Sequence, residues 1–160
     1  VIVFFIDSTD QVSYIDSMDD RTKPETLETQ LRRRMKRKRS DVFLRADFDD
    51  LGGYDQVGRA LRGLVRKGEL LRVGQGLYTR TRPSLLDGKP VPPKGLATLK
   101  EALRRLGIRT VPTRLEEAYN AGQTTQVPTG RVVGVQGRVR RQIGYNGVSL
   151  KFERAGPAPR

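Results

Sequence analysis

The 160-residue sequence has no cysteine, no histidine and no tryptophan. These absences exclude disulfides, zinc centres built on Cys or His, thiol nucleophiles and the usual imidazole general base. A reducing, cytoplasmic setting fits such a chain. Negative charge is scarce too: 18 Asp and Glu face 31 Lys and Arg, a formal charge of +13. That excess favours a polyanionic partner. No apolar run reaches the ~18 residues of a membrane-spanning helix. Nor does any basic amphipathic stretch carry the bulky aromatic face of an interfacial anchor, so nucleic acid is expected and a membrane is not. No GxxxxGK loop occurs, and no GxGxxG unit joins a strand to a helix, so no nucleotide cofactor is implied. Asp47, Asp49 and Asp50 cluster and Glu116 adjoins Glu117. Neither group has other ligands at metal-binding spacing, and helix capping explains both. No catalytic residue stands out, and the chain is not expected to be an enzyme.

The most informative stretch runs from Gly53 to Tyr78. Val57, Ala60, Leu61, Leu64 and Val65 recur at the spacing of one helical face, and Gly68 supplies a left-handed stop. Leu70 to Val73 and Leu77 to Thr79, joined by Gly74-Gln75-Gly76, then predict a small hairpin. At 100° per residue, Asp55, Arg59, Arg62 and Arg66 lie opposite the apolar stripe, so three guanidiniums share one ridge. A helix followed by a hairpin, with arginines outward, is the pattern of a winged helix whose third helix meets DNA.

Residues 1–21 differ from the rest. An apolar hexamer, Val1 to Ile6, precedes five aspartates with no basic residue between them. It fits either a donated strand or an upstream extension with Met18 as the natural start, and it lacks the positive region of a signal peptide. Thr22-Lys23-Pro24-Glu25 has capping-box form and predicts a helix start, continued by Leu27, Leu31 and Met35. Arg32 to Arg39 then packs seven cations into eight residues, which requires nearby anions. Val42 to Leu44 reads as a strand, Ala46 to Leu51 as a brief helix, and Gly52-Gly53 as a turn. Residues 22–82 are thus expected to form a winged helix-turn-helix and 83–94, rich in Pro and Gly, a linker. Residues 95–154 are expected to form a second domain, and 155–160 a disordered tail.

In that second domain a helix from Gly95 to Gly107, a strand at 109–111 and a short helix near Leu115 precede three strands. These are expected at 131–135, 138–143 and 148–154, the last two around the hairpin signal Asn146-Gly147. The fold class expected is α+β: a winged helix-turn-helix, then a small α/β domain closed by an antiparallel hairpin.

Asp50-Leu51-Gly52, Leu61, Leu64 to Gly68 and Gly76-Leu77-Tyr78 resemble the N-terminal domain of the AbiEi-like type IV antitoxins of bacteria. Thr125-Gln126-Val127-Pro128, Val132-Val133 and the closing hairpin resemble their C-terminal domain. The resemblance covers about residues 26–154. It implies an autorepressor that binds repeats in its own promoter and counters a nucleotidyltransferase-like toxin without a stable complex. Another class of function also fits the residues: an RNA-binding or nuclease-associated accessory module whose winged helix serves protein contacts. On the usual docking geometry Gln56 and Arg59 are expected at base edges, with phosphate contact the competing role for both. Arg33, Arg37, Arg39, Arg62, Arg66, Lys67, Arg72 and Gln75 are expected at phosphates, with Arg72 and Gln75 also within reach of the minor groove. Arg138, Arg140 and Arg141 offer a second basic surface, equally suited to RNA, to more DNA or to solvent. Gly58 and Gly63 inside the third helix are expected to weaken it.

Overall fold

The computed structural model describes residues 24–155. The N-terminal stretch 1–21, the expected cap at Thr22 and the tail residues 156–160 lie outside them. The chain is α+β. Helix α1 spans Leu27–Arg37 and starts later than the capping-box pattern at Thr22 predicts. Thr26 is extended, and its hydroxyl accepts from the Thr29 N–H at 3.3 Å, so the cap sits directly before the first periodic leucine. Glu25 stays outside the helix, and its carboxylate meets Arg33 at 2.9 Å.

Strand β1 (Val42–Leu44) leads into a 3-10 turn at Arg45–Phe48. This replaces the brief helix expected over 46–51. The Leu51 N–H reaches only back to the Phe48 carbonyl, and Gly52-Gly53 follows before an α turn can close. Phe48 is buried. Helix α2 (Tyr54–Arg66) buries Val57, Leu61 and Leu64. It ends at Gly68, whose φ of 74° lets the Glu69 N–H return to the Leu64 carbonyl at 3.0 Å.

Strands β2 (Leu70–Gly74) and β3 (Leu77–Arg80) form an antiparallel hairpin, and β1 adds to β3 in the order β1-β3-β2. Alternation divides this sheet's side chains between two hydrophobic clusters. Phe43, Leu70 and Tyr78 pack with Leu31, Phe48, Leu61 and Leu64 of the helical side. Val42, Val73 and Leu77 point the other way and pack with Leu99, Leu103, Val135, Ile143 and Leu150. Both faces of the sheet are therefore covered, one by each half of the chain.

At the start of the stretch expected as a linker, β4 (Arg82–Pro83) pairs antiparallel with β5 (Pro90–Val91) inside it. Helix α3 (Leu96–Arg105) follows. It lies against β1 and the 3-10 turn, where Ser40 Oγ meets Glu101 at 2.6 Å and Arg105 Nη2 meets the Asp47 carboxylate at 2.6 and 2.7 Å.

Strand β6 (Thr110–Val111) and helix α4 (Arg114–Asn120), the latter capped reciprocally by Thr113 and Glu116, precede β7 (Val132–Val135). Asn146 and Gly147, both at positive φ, turn β8 (Gly144–Tyr145) into β9 (Val148–Ser149) as the hairpin signal predicts. Two expectations fail here. Residues 138–143 form no strand: Arg138, Arg140, Arg141 and Gln142 are exposed while only Ile143 is buried, so the segment has no continuous apolar side to lay on the core. The expected last strand also divides at Leu150. The Leu150 N–H stays with the hairpin, on the Ile143 carbonyl, and the Lys151 N–H crosses to the Arg131 carbonyl. Strand β10 (Lys151–Arg154) consequently runs parallel to β7 in a sheet ordered β10-β7-β6, and this parallel pair, rather than the hairpin, closes the second half. Ala155 prolongs the ladder with a bond to the Val135 carbonyl.

Candidate nucleic-acid interface

The site begins with the outer face of α2. Burying Val57, Leu61 and Leu64 forces Arg59, Arg62 and Arg66 to the opposite side, where all three are exposed. The ion pairs formed among the described residues include none of them. Their charge is available to an external anion.

Gln56 has an internal task that sequence reasoning missed. Gly53 has no side chain to cap the helix. The Gln56 amide oxygen instead accepts from the Gly53 N–H at 3.2 Å. A two-bond contact to adenine uses both ends of the amide, so Gln56 would have to release this bond to read a base. Lys67 is also engaged, donating to Glu28 on α1. Its ammonium holds the Glu28 carboxyl below the ordinary range.

The basic end of α1 is partly neutralised from within. Arg32 makes two bonds of 2.7 Å to Glu69, and this guanidinium draws the Glu69 carboxyl below its usual pKa. Arg33 meets Glu25, Arg34 grips Asp50 with one bond of 2.7 Å, and Lys38 meets Asp47 at 3.0 Å. Asp50 is held low by Arg34. Burial pushes the Asp47 carboxyl up, but bonds from Arg105, the Leu44 N–H and Lys38 outweigh it and the net shift is downward. Of the expected phosphate contacts in this run, Arg37 and Arg39 are exposed and outside these pairs, whereas Arg33 is paired.

Two residues that no sequence pattern connects also join the site. The Arg45 guanidinium lies 3.7 Å over the Tyr54 ring, and the Arg45 N–H donates to the Gly76 carbonyl at 3.0 Å. Arg45 thereby ties the start of α2 to the tip of the β2–β3 hairpin, and leaves Tyr54 70% exposed beside the arginine ridge. The pair lies nine positions apart in sequence, a spacing with no periodic meaning.

At the hairpin, Arg72 and Gln75 are exposed, and Arg72 Nε bonds the Gly74 carbonyl at 3.3 Å. The Gln75 carbonyl accepts from Arg141 at 3.4 Å. An open groove of about 670 Å³ runs between the hairpin and residues 140–149, with Arg72, Gln75, Arg140, Arg141 and Tyr145 among its walls and no carboxylate. Arg138 is exposed but does not line it.

Among the described residues no group of three or more acidic side chains is placed to hold a metal, and no helix is long and apolar enough to cross a membrane. Fold and surface together define an α+β protein with an unpaired arginine ridge on one helix beside a basic hairpin. The chain matches the family described as "Family of unknown function (DUF6088)" over residues 29–159, and it belongs to that family. No curated protein and no solved structure matches it.

Proposed function

We propose that the protein is a sequence-specific DNA-binding transcriptional autorepressor, with residues from α1 to β3 acting as a winged helix-turn-helix. The observation that carries this is the ridge of Arg59, Arg62 and Arg66, which is solvent-facing and free of the carboxylates that occupy much of the neighbouring basic helix. The order α1, β1, 3-10 turn, α2, hairpin supports it, as does the link Arg45 makes between the start of α2 and the hairpin tip. In this arrangement the N-terminal half of α2 enters the major groove with Arg59 at a base edge. Arg62 and Arg66 hold phosphates, and Arg72 and Gln75 meet the flanking backbone.

The antitoxin role, opposing a nucleotidyltransferase-like toxin, rests on the sequence resemblance. Co-expression with a nucleotidyltransferase encoded beside the gene tests it: relief of growth arrest supports the role, and unrelieved arrest removes it. Gel shifts on the protein's own promoter test the DNA reading. A discrete shifted band that outlasts excess unrelated duplex is expected, and no shift at low salt overturns the reading.

A further inference from the structure

We infer that the groove between the β2–β3 hairpin and residues 140–149 is a second backbone-binding element for duplex DNA, so that the two halves of the chain hold one continuous phosphate track. The inference rests on the DNA reading above and adds the partner of the C-terminal basic surface. Three observations lead to it. First, the groove is built from both halves, with Arg72 and Gln75 on one wall and Arg140 and Arg141 on the other. Any strand that meets the hairpin therefore meets the second wall too. Second, the two walls are in contact, because Arg141 donates to the Gln75 carbonyl, and a side chain at Gly74 would come within 3.2 Å of the Gln142 carbonyl. Third, the groove is open and lined by guanidiniums without a carboxylate, which suits a solvated phosphodiester chain rather than an enclosed small molecule.

The lack of a strand at 138–143 gains a purpose here. A regular strand would alternate Arg140 and Arg141 onto opposite faces. The irregular segment brings both to the groove and leaves Arg138 outside it.

The test is fluorescence anisotropy on a labelled duplex of the protein's own promoter, titrated with salt. The variants are Arg140→Ala with Arg141→Ala, the same pair to Lys, and Arg138→Ala, with circular dichroism to verify folding. Each lost phosphate contact lowers the log K against log salt slope by about 0.9. The double Ala variant is expected to lose about 1.8 from the slope and so to shed about tenfold less affinity between 50 and 200 mM salt. Its weakening should be equal on promoter and scrambled duplex, and the Lys pair and Arg138→Ala should keep the wild-type slope. A wild-type slope in the folded double Ala variant overturns the inference while leaving the DNA reading intact. Absence of duplex binding by the wild type overturns both.

Discussion

The C-terminal end of α1 and the outer face of α2 look alike as strings of arginine and differ as surfaces. In α1, Arg32, Arg33, Arg34 and Lys38 are answered by Glu69, Glu25, Asp50 and Asp47. In α2, Arg59, Arg62 and Arg66 have no such partners among the described residues. The denser run is therefore no more available than the sparser one, since only Lys36, Arg37 and Arg39 stay exposed outside these pairs. Local charge count measures how many anions a segment needs, and here the fold supplies many of them to α1 from elements distant in sequence. Binding capacity follows the charge left unanswered.

The largest expected effect that separates the two regions is on specific binding. Arg59→Ala should cost about 1–3 kcal/mol on the promoter duplex and much less on scrambled DNA, while Arg66→Ala weakens both alike. Arg34→Ala should change either affinity less than about twofold but lower the thermal midpoint, because it frees Asp50 and strips a bond from the Asp47 carbonyl. Competition binding and thermal melts of the same samples check this. A loss of DNA affinity from Arg34→Ala matching that from Arg59→Ala would erase the distinction.

Acid should act next, chiefly on the ion pairs that hold α1 and on the Asp47–Arg105 pair that ties α3 to the 3-10 turn. Glu28, Asp47, Asp50 and Glu69 all titrate below their ordinary values. Their contribution to stability is complete above the usual carboxylate pKa of about 4 and is lost as pH falls through the lower folded values. Urea midpoints should therefore hold from pH 7 to about 5 and decline below about 4. A midpoint unchanged down to pH 3 would show that these pairs do not hold α1 in place.

The smallest effect concerns the glycines of α2. A methyl at Gly58 would meet only Arg62 Nη1 at 3.8 Å, whereas at Gly63 it would come within 2.6 Å of Glu28 Oε1. Gly58→Ala should stabilise by about 0.5–1 kcal/mol, the ordinary helix gain. Gly63→Ala should gain less, since Glu28 must move away from Lys67. Equal gains by urea denaturation would show that the close approach of α1 to Gly63 has no energetic weight.

Much of the first half was legible because its elements announce themselves locally. The stripe Val57-Leu61-Leu64, the stop at Gly68 and the tight turn at Gly74 to Gly76 each need only neighbouring residues to be read. So does the Asn146-Gly147 turn. What sequence missed depends on partners far along the chain. Strand β10 leaves the hairpin at Leu150 because β7 is there to receive it. Residues 138–143 forgo a strand where the β2–β3 hairpin lies beside them and its Gln75 carbonyl takes a bond from Arg141. The same holds for the candidate site. The arginine ridge was visible as a helical face, but nothing nearby revealed that Lys67 and Arg33 were occupied, that Gln56 capped its own helix, or that Arg45 stacked on Tyr54. Gly63, read as a weak point, is where α1 comes close.

The sheet β1-β3-β2 separates two hydrophobic clusters, one on each side. It also acts as a gauge. Because Val42 and Phe43, or Leu77 and Tyr78, anchor adjacent residues of one strand in opposite clusters, the distance from the α2 ridge to Arg140 and Arg141 is set by the thickness of packed side chains rather than by a tether. On the proposed reading, the protein presents its two contacts at a fixed span, like the jaws of a calliper, so that any bend needed to reach both falls on the DNA and not on the protein.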